Sequence, residues 1–156
     1  MTPDELMRHA IALSMEKMQA GSGGPFGAVI ARDGEVIAEG WNQVTSSNDP
    51  TAHAEVTAIR RACEALGRFD LSDCEIFTSC EPCPMCLAAV YWARLRRIHY
   101  GNDRRAAAAI GFDDEFLYQE VPKPIAERSI PTTQLLADEA REAFEAWAAK
   151  PDKVAY

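Results

Sequence analysis

Two short segments of this chain constrain any fold it can adopt. "TAHAE", residues 51–55, sets a histidine and a glutamate two positions apart. "SCEPCPMC", residues 79–86, crowds Cys80, Cys83 and Cys86 together some thirty residues later. Imidazole and thiolate donors in a C-x-x-C spacing are zinc-type ligands. One ion can join the two segments only if the fold brings them face to face. A helical pattern follows each of them, in "TAHAEVTAIRRACEALG" and in "CPMCLAAVYWARL", so the requirement is that two helix starts converge.

Spacing selects the ligands. Cys83 and Cys86 lie three apart at the start of a helix, so both sulfurs can reach one point. The positive end of that helix favours their thiolate forms. His53 supplies a nitrogen from the start of the other helix. Cys80 precedes Pro82 and the turn into the helix, a poorer geometry, and reads as a structural thiol. Three protein ligands leave a fourth position open for water, the arrangement of catalytic zinc.

Glu55 then has a role other than ligation, since a carboxylate beside two thiolates is uncommon in a closed tetrahedral site. Zinc lowers the pKa of its water. A carboxyl two residues beyond a ligand can take the proton and pass it to a substrate. H-x-E followed by P-C-x-x-C, here His53, Glu55, Pro82, Cys83 and Cys86, is the pattern of zinc deaminases, in which the glutamate is not a ligand. The rival is a structural zinc knot in an interaction module. It needs a fourth ligand, for which Cys80 and Cys74 are the nearest thiols, and it has no use for Glu55.

Composition narrows the setting. With 156 residues, 47% apolar and 26% charged, the chain suits one globular domain spanning residues 1–156. A net charge of −8 opposes a broad nucleic-acid footprint, and the C-terminal stretch is acidic, with no basic tail to grip RNA. The N-terminus does not read as a signal peptide, and no apolar run approaches the roughly 20 residues that span a bilayer. Five cysteines, three of them clustered, suit a reducing cytoplasm better than a disulfide frame. His9 and His99 have no partner at ligand spacing and read as structural.

Local signals give an α/β order. Thr2, Pro3 and Glu5 form a capping box for a first helix that Gly21 ends. "FGAVIARDGEVIAEGWN" reads as a hairpin turning at Asp33-Gly34. Asn48 or Asp49 is the expected N-cap of the second helix, with Pro50 just inside it. "DCEIFTS" and "RRIHYG" read as strands around the third helix, "TTQLL" as a fifth strand and "DEAREAFEAWAAK" as the last helix. The expectation is a three-layer α/β/α sandwich around a mixed five-stranded sheet.

Longer segments add a resemblance. "GGPFGAVI", "NQVTSSNDPTAHAEV", "TSCEPCPMCLAAVYWARLRRIHYG" and "AIGFDDEF" resemble the cytidine deaminase-like superfamily, and within it the branch of bacterial guanine deaminases. The similarity runs over nearly the whole chain. It implies zinc-dependent hydrolysis of a small purine base, guanine, to xanthine and ammonia. It also implies that Asn42 and Asp114 hydrogen-bond the base, that Phe26 and Trp92 wall it, and that Tyr156, in a tail of residues 151–156, closes the site. A homodimer follows too, in a branch whose C-terminal segments can be exchanged between subunits. From the residues alone, the backbone N–H of Ala54 at a helix start can bind a carbonyl oxygen. Guanosine, cytosine, an aminotriazine such as ammeline, and adenosine in tRNA stay open as substrates, the last opposed by the acidic tail.

Overall fold

The computed structural model describes residues 1–156. In chain order the elements are α1 (Pro3–Gln19), β1 (Gly27–Arg32), β2 (Glu35–Trp41), α2 (Val44–Ser47), α3 (Ala54–Leu66), β3 (Glu75–Cys80), α4 (Pro84–Trp92), β4 (Arg97–Asn102), α5 (Arg104–Ala109), α6 (Asp114–Glu120), a short 3₁₀ turn (Ile125–Glu127) and α7 (Ala137–Ala149). The sheet runs β2-β1-β3-β4. Its first two pairings are antiparallel, and β3 with β4 is parallel across the α4 crossover.

Helices cover both faces. Alternation along β1 sends Val29 and Ala31 to one side, where they pack with Phe77 against Leu6, Ala10 and Leu13 of α1. Ala28 and Ile30 point the other way, into a core with Ile76 of β3, Ala54, Ala58 and Ala62 of α3, and Val90 of α4. The three alanines recur every four residues and are fully buried. So small a stripe lets the α3 backbone settle against β2 at Gly40. A methyl group on that glycine would lie 2.6 Å from Ala58 N and closer still to Ala54 O. The close approach fixes the N-terminus of α3, and with it the first half of the site.

The capping box at Thr2 and Glu5 forms as the sequence dictates. Asp33 and Gly34 both take positive φ, 51° and 84°, as a type I′ hairpin requires. Two expectations need correction. The second helix does not begin at Asn48 or Asp49. Asn48 closes α2 in a left-handed conformation, and Asp49 Oδ1 accepts from both Thr51 N–H and Thr51 Oγ1. That Asx turn diverts the chain, so α3 starts at Ala54 with His53 as its N-cap. The sheet also has four strands where five were expected. "TTQLL" stays exposed and irregular: it pairs with no strand of the sheet, and a strand needs a ladder partner.

Beyond Ala107 the chain contributes no buried residue. α7 is exposed almost throughout, with Phe144 at 80%. No helix is long and apolar enough to cross a membrane.

Candidate active site

Two helix N-termini meet at one end of the sheet. His53 caps α3 and Cys83 caps α4, with Pro84 at the first helical position after it. Cys86 N–H donates to Cys83 Sγ at 3.5 Å, so the turn that starts α4 also aims its sulfur. His53 Nδ1 lies 3.6 Å from Cys83 Sγ and 3.5 Å from Cys86 Sγ, and the three donor atoms fall within 4.8 Å of one another. Those spacings also suit a shared ion. Zinc bonds of about 2.0–2.1 Å to nitrogen and about 2.3 Å to sulfur, at a tetrahedral angle, put the two atoms about 3.6 Å apart. Both sulfurs are buried. The Cys86 thiol, then His53, donate to Cys83 and pull its thiol down to about 4. The same shared proton pushes Cys86 far up. A divalent cation would replace that proton and stabilise both thiolates, so the donor set fits zinc.

Cys80, the last residue of β3, is buried at the cavity wall, and burial pushes its thiol up to about 12. It lies outside the three-donor group.

A cavity of about 370 Å³ opens above the donors. Phe26, Asn42, His53, Glu55, Cys83 and Asp114 line it, joined by Phe112 and Glu81. Glu55 is 6% exposed, and burial pushes its carboxyl above the usual carboxylate range. Thr78 Oγ1 lies 3.3 Å from Glu55 Oε1. Asn42 is held rigidly, its Oδ1 accepting from Gly24 N–H and Val44 N–H, both at 3.2 Å. Its carbonyl being taken, the amide NH₂ is the group left for a ligand. Gly23 permits this fit, since a methyl there would lie 2.5 Å from Asn42 Oδ1. Asp114 opens α6, half-buried, and burial followed by the Cys83 charge raises its pKa.

Three residues named from the sequence lie elsewhere in this chain. Trp92, 67% exposed, belongs to an outer groove beside Leu87, Tyr118 and Val121. Tyr156, 72% exposed, sits tilted beside Trp92 and edge-on to Phe69, with ring centroids 6.0 and 6.4 Å away. Both therefore stand outside the cavity of their own chain, because α4 turns its Trp92 face outward while its N-terminus faces the donors. Ala54 is fully buried behind His53 and Glu55, and is not among the cavity-lining residues.

Sequence reasoning missed Phe112 and Thr78. Phe112 meets Phe26 edge to face, with centroids 4.8 Å apart. Its neighbour Asp113 caps α6 through Phe116 N–H, and that cap was the available signal. Thr78 gave no signal, since a β-branched residue in a strand looks ordinary.

Comparison with known proteins decides the family. Residues 1–102 match the model of the cytidine and deoxycytidylate deaminase zinc-binding region. This chain belongs to that deaminase family. Its cofactor is zinc, for which His53, Cys83 and Cys86 are the donors this fold offers. The deaminase is 54% identical over 147 residues to guanine deaminase of Bacillus subtilis (strain 168), a match spanning 94% of each chain. It superposes on the crystal structure of the guanine deaminase from Bacillus subtilis with a TM-score of 0.97 at 52% identity, covering 100% of this chain and 99% of that one. A tRNA-specific adenosine deaminase of Agrobacterium fabrum is 44% identical over 95 residues, 61% of this chain and 62% of its own.

Proposed function

We propose that this deaminase hydrolyses guanine to xanthine and ammonia. The observation that carries the chemistry is Glu55, a buried carboxyl at the floor of the cavity, two residues past a zinc-type histidine. Zinc held by His53, Cys83 and Cys86 would supply a water of lowered pKa beside Glu55. Glu55 would take one proton from that water as its oxygen adds to C2 and pass it to the adjacent ring nitrogen. It would then move the proton of the new C2 hydroxyl to the amine, so that the C2 carbonyl forms, the C2–N bond breaks and ammonia leaves.

The cavity suits a flat polar base. Phe26 and Phe112 offer an aromatic wall. The Asn42 NH₂ donates to a purine acceptor, and Asp114 accepts from ring N–H groups. The Ala54 N–H, at the first helical position between His53 and Glu55 and without an intrahelical acceptor, is assigned to a carbonyl oxygen of the base. Among amino-heterocycles, guanine is favoured by the near full-length likeness to a guanine deaminase.

We also propose that residues 1–156 act as one catalytic unit that works as a homodimer. The exposed apolar residues of α7, Phe144 and Trp147, and the outer groove of about 760 Å³ by Trp92 support association. Exchange of C-terminal segments would carry residues 151–156 of one copy to the cavity of the other and give Tyr156 a place there. Five free cysteines, two of them metal donors, suit a reducing cytoplasm. The net charge of −8 sets nucleic acid aside as a partner.

The test is ammonia release from guanine, guanosine, cytosine, cytidine, adenine and ammeline by the zinc-loaded protein, beside Glu55→Gln. Guanine should be fastest, and the variant should keep zinc while losing roughly 10²–10⁴-fold or more in turnover. Much faster turnover of a nucleoside or of cytosine would overturn the substrate. An active Glu55→Gln would overturn the mechanism.

A further inference from the structure

Thr78 lies on β3 at 1% exposure, on the strand face that also carries Ile76 and Cys80 toward α3 and α4. Its Oγ1 is 3.0 Å from the Cys80 carbonyl and 3.3 Å from Glu55 Oε1. Packing alone does not call for this hydroxyl. Valine has nearly the same shape and an equal taste for strands, and a buried hydroxyl is costly unless bonded. Both oxygens near Thr78 belong to the site: one is the general acid–base, the other the main chain that leads to Cys83.

We infer that Thr78 is a positioning residue that anchors Glu55 Oε1 and leaves Oε2 to move the proton. The inference rests on the role proposed above for Glu55. A free carboxyl can rotate about its last torsion, which is broad and roughly two-fold. A carboxyl that exchanges protons with two different groups in one turnover must keep its second oxygen aimed at both. The Thr78 hydroxyl has one proton to give, and Oε1 and the Cys80 carbonyl are the two acceptors beside it. With the transferred proton on Oε2, Oε1 is the carbonyl oxygen and accepts from Thr78. Once Oε2 has given the proton up, Oε1 carries part of the negative charge and accepts from Thr78 more strongly. One side chain therefore holds Glu55 in both halves of the transfer. Because β3 is flanked by β1 and β4, with Thr78 paired to Ala28 and Tyr100, the anchor sits on a rigid element.

The test compares Thr78→Val, Thr78→Ser, Glu55→Gln and the double variant Glu55→Gln/Thr78→Val, by kcat and KM for guanine, zinc content and melting temperature. Thr78→Val should keep zinc, fold, melting temperature and KM, and lose roughly 10- to 100-fold in kcat, the worth of a hydrogen bond to a charged group. Thr78→Ser should melt lower for want of a buried methyl group, yet recover most of kcat. Stability and activity thus move in opposite directions between the two variants, which a merely structural threonine would not produce. The double variant should be no slower than Glu55→Gln alone, since Thr78 acts through Glu55. Full kcat in Thr78→Val, an equal loss in Thr78→Ser, or loss of zinc in Thr78→Val would overturn the assignment. If Glu55→Gln is active, the proposed mechanism and this inference fall together. If it is inactive while Thr78→Val is normal, only the inference falls.

Discussion

Gly40→Ala should weaken zinc binding although Gly40 touches no ligand. The added methyl group would lie 2.6 Å from Ala58 N and 2.9 Å from Ala58 Cβ, where ordinary contact begins at 3.4 Å. Both obstacles belong to α3, and one is main chain that no rotamer change can move. Clearing Ala58 N alone requires α3 to retreat from β2 by about 0.8 Å, and the Ala54 carbonyl oxygen, closer still, demands more. His53 caps α3, whereas Cys83 and Cys86 ride on α4, so the retreat changes the nitrogen–sulfur spacings of 3.5 and 3.6 Å directly. Metal sites hold their ligand distances to within about 0.2 Å, so the shift is some four times the tolerance. Overpacking of this kind costs about 1–3 kcal/mol of stability. Zinc affinity should fall roughly 10- to 100-fold, the loss seen when ligand support is disturbed. Competition against a chromophoric chelator measures the affinity, and thermal melting of the zinc-free protein measures the fold. Gly67→Ala is the control: Gly67 has φ +64° with nothing within 4 Å, so alanine there strains the backbone and leaves the site alone. A folded Gly40→Ala protein with wild-type zinc affinity would refute the claim that β2–α3 contact sets the ligand geometry.

Three further outcomes follow from the same structure. Cys80→Ala should retain one zinc per chain by metal analysis, because Cys80 stands outside the donor group; loss of zinc would make it a ligand. His99, then Arg96, hold the Glu75 carboxyl below its ordinary value of 4.5. A depressed folded pKa adds stability above the unfolded value and loses it as pH falls through the folded one. Glu75→Gln should therefore melt lower than the parent near neutral pH, with the gap closing in acid, and a gap that does not change with pH would exclude the ion pair as its cause. Deleting Lys153 to Tyr156 should leave zinc and melting temperature intact and cut guanine turnover sharply, whereas full activity would show that the tail plays no part in closing the cavity.

Much of the site was legible because its chemistry lies in residue identity and short spacing. Zinc-type donors at His53, Cys83 and Cys86, and a carboxyl two residues beyond one of them, narrow the possible reactions before any coordinate is known. Caps and turns are legible for a similar reason. Thr2 with Glu5, and Asp33 with Gly34, act on backbone groups two or three residues away, so the sequence specifies them locally. Asp49 shows the limit of such rules. Asx turn and helix cap use the same side-chain oxygen, and only the path of the chain toward His53 chose between them.

What depends on distant segments was not legible. Asn42 could have offered donor or acceptor, and the choice was made by Gly24 N–H, 18 residues away in sequence. Thr78 looked like any strand threonine until folding set it beside Glu55, 23 residues earlier. Trp92 reads as a wall and Tyr156 as a closing residue, but no local rule says which way α4 faces or where the terminus lies, and in this chain both stand outside the cavity. The fifth strand failed on the same ground, since a ladder needs an edge and the sequence does not say where the edges are. Residue types and short spacings decided which reaction this chain can perform; long-range packing, through close backbone approach at Gly40 and hydrogen bonds across the sheet, decided which groups stand where that reaction needs them.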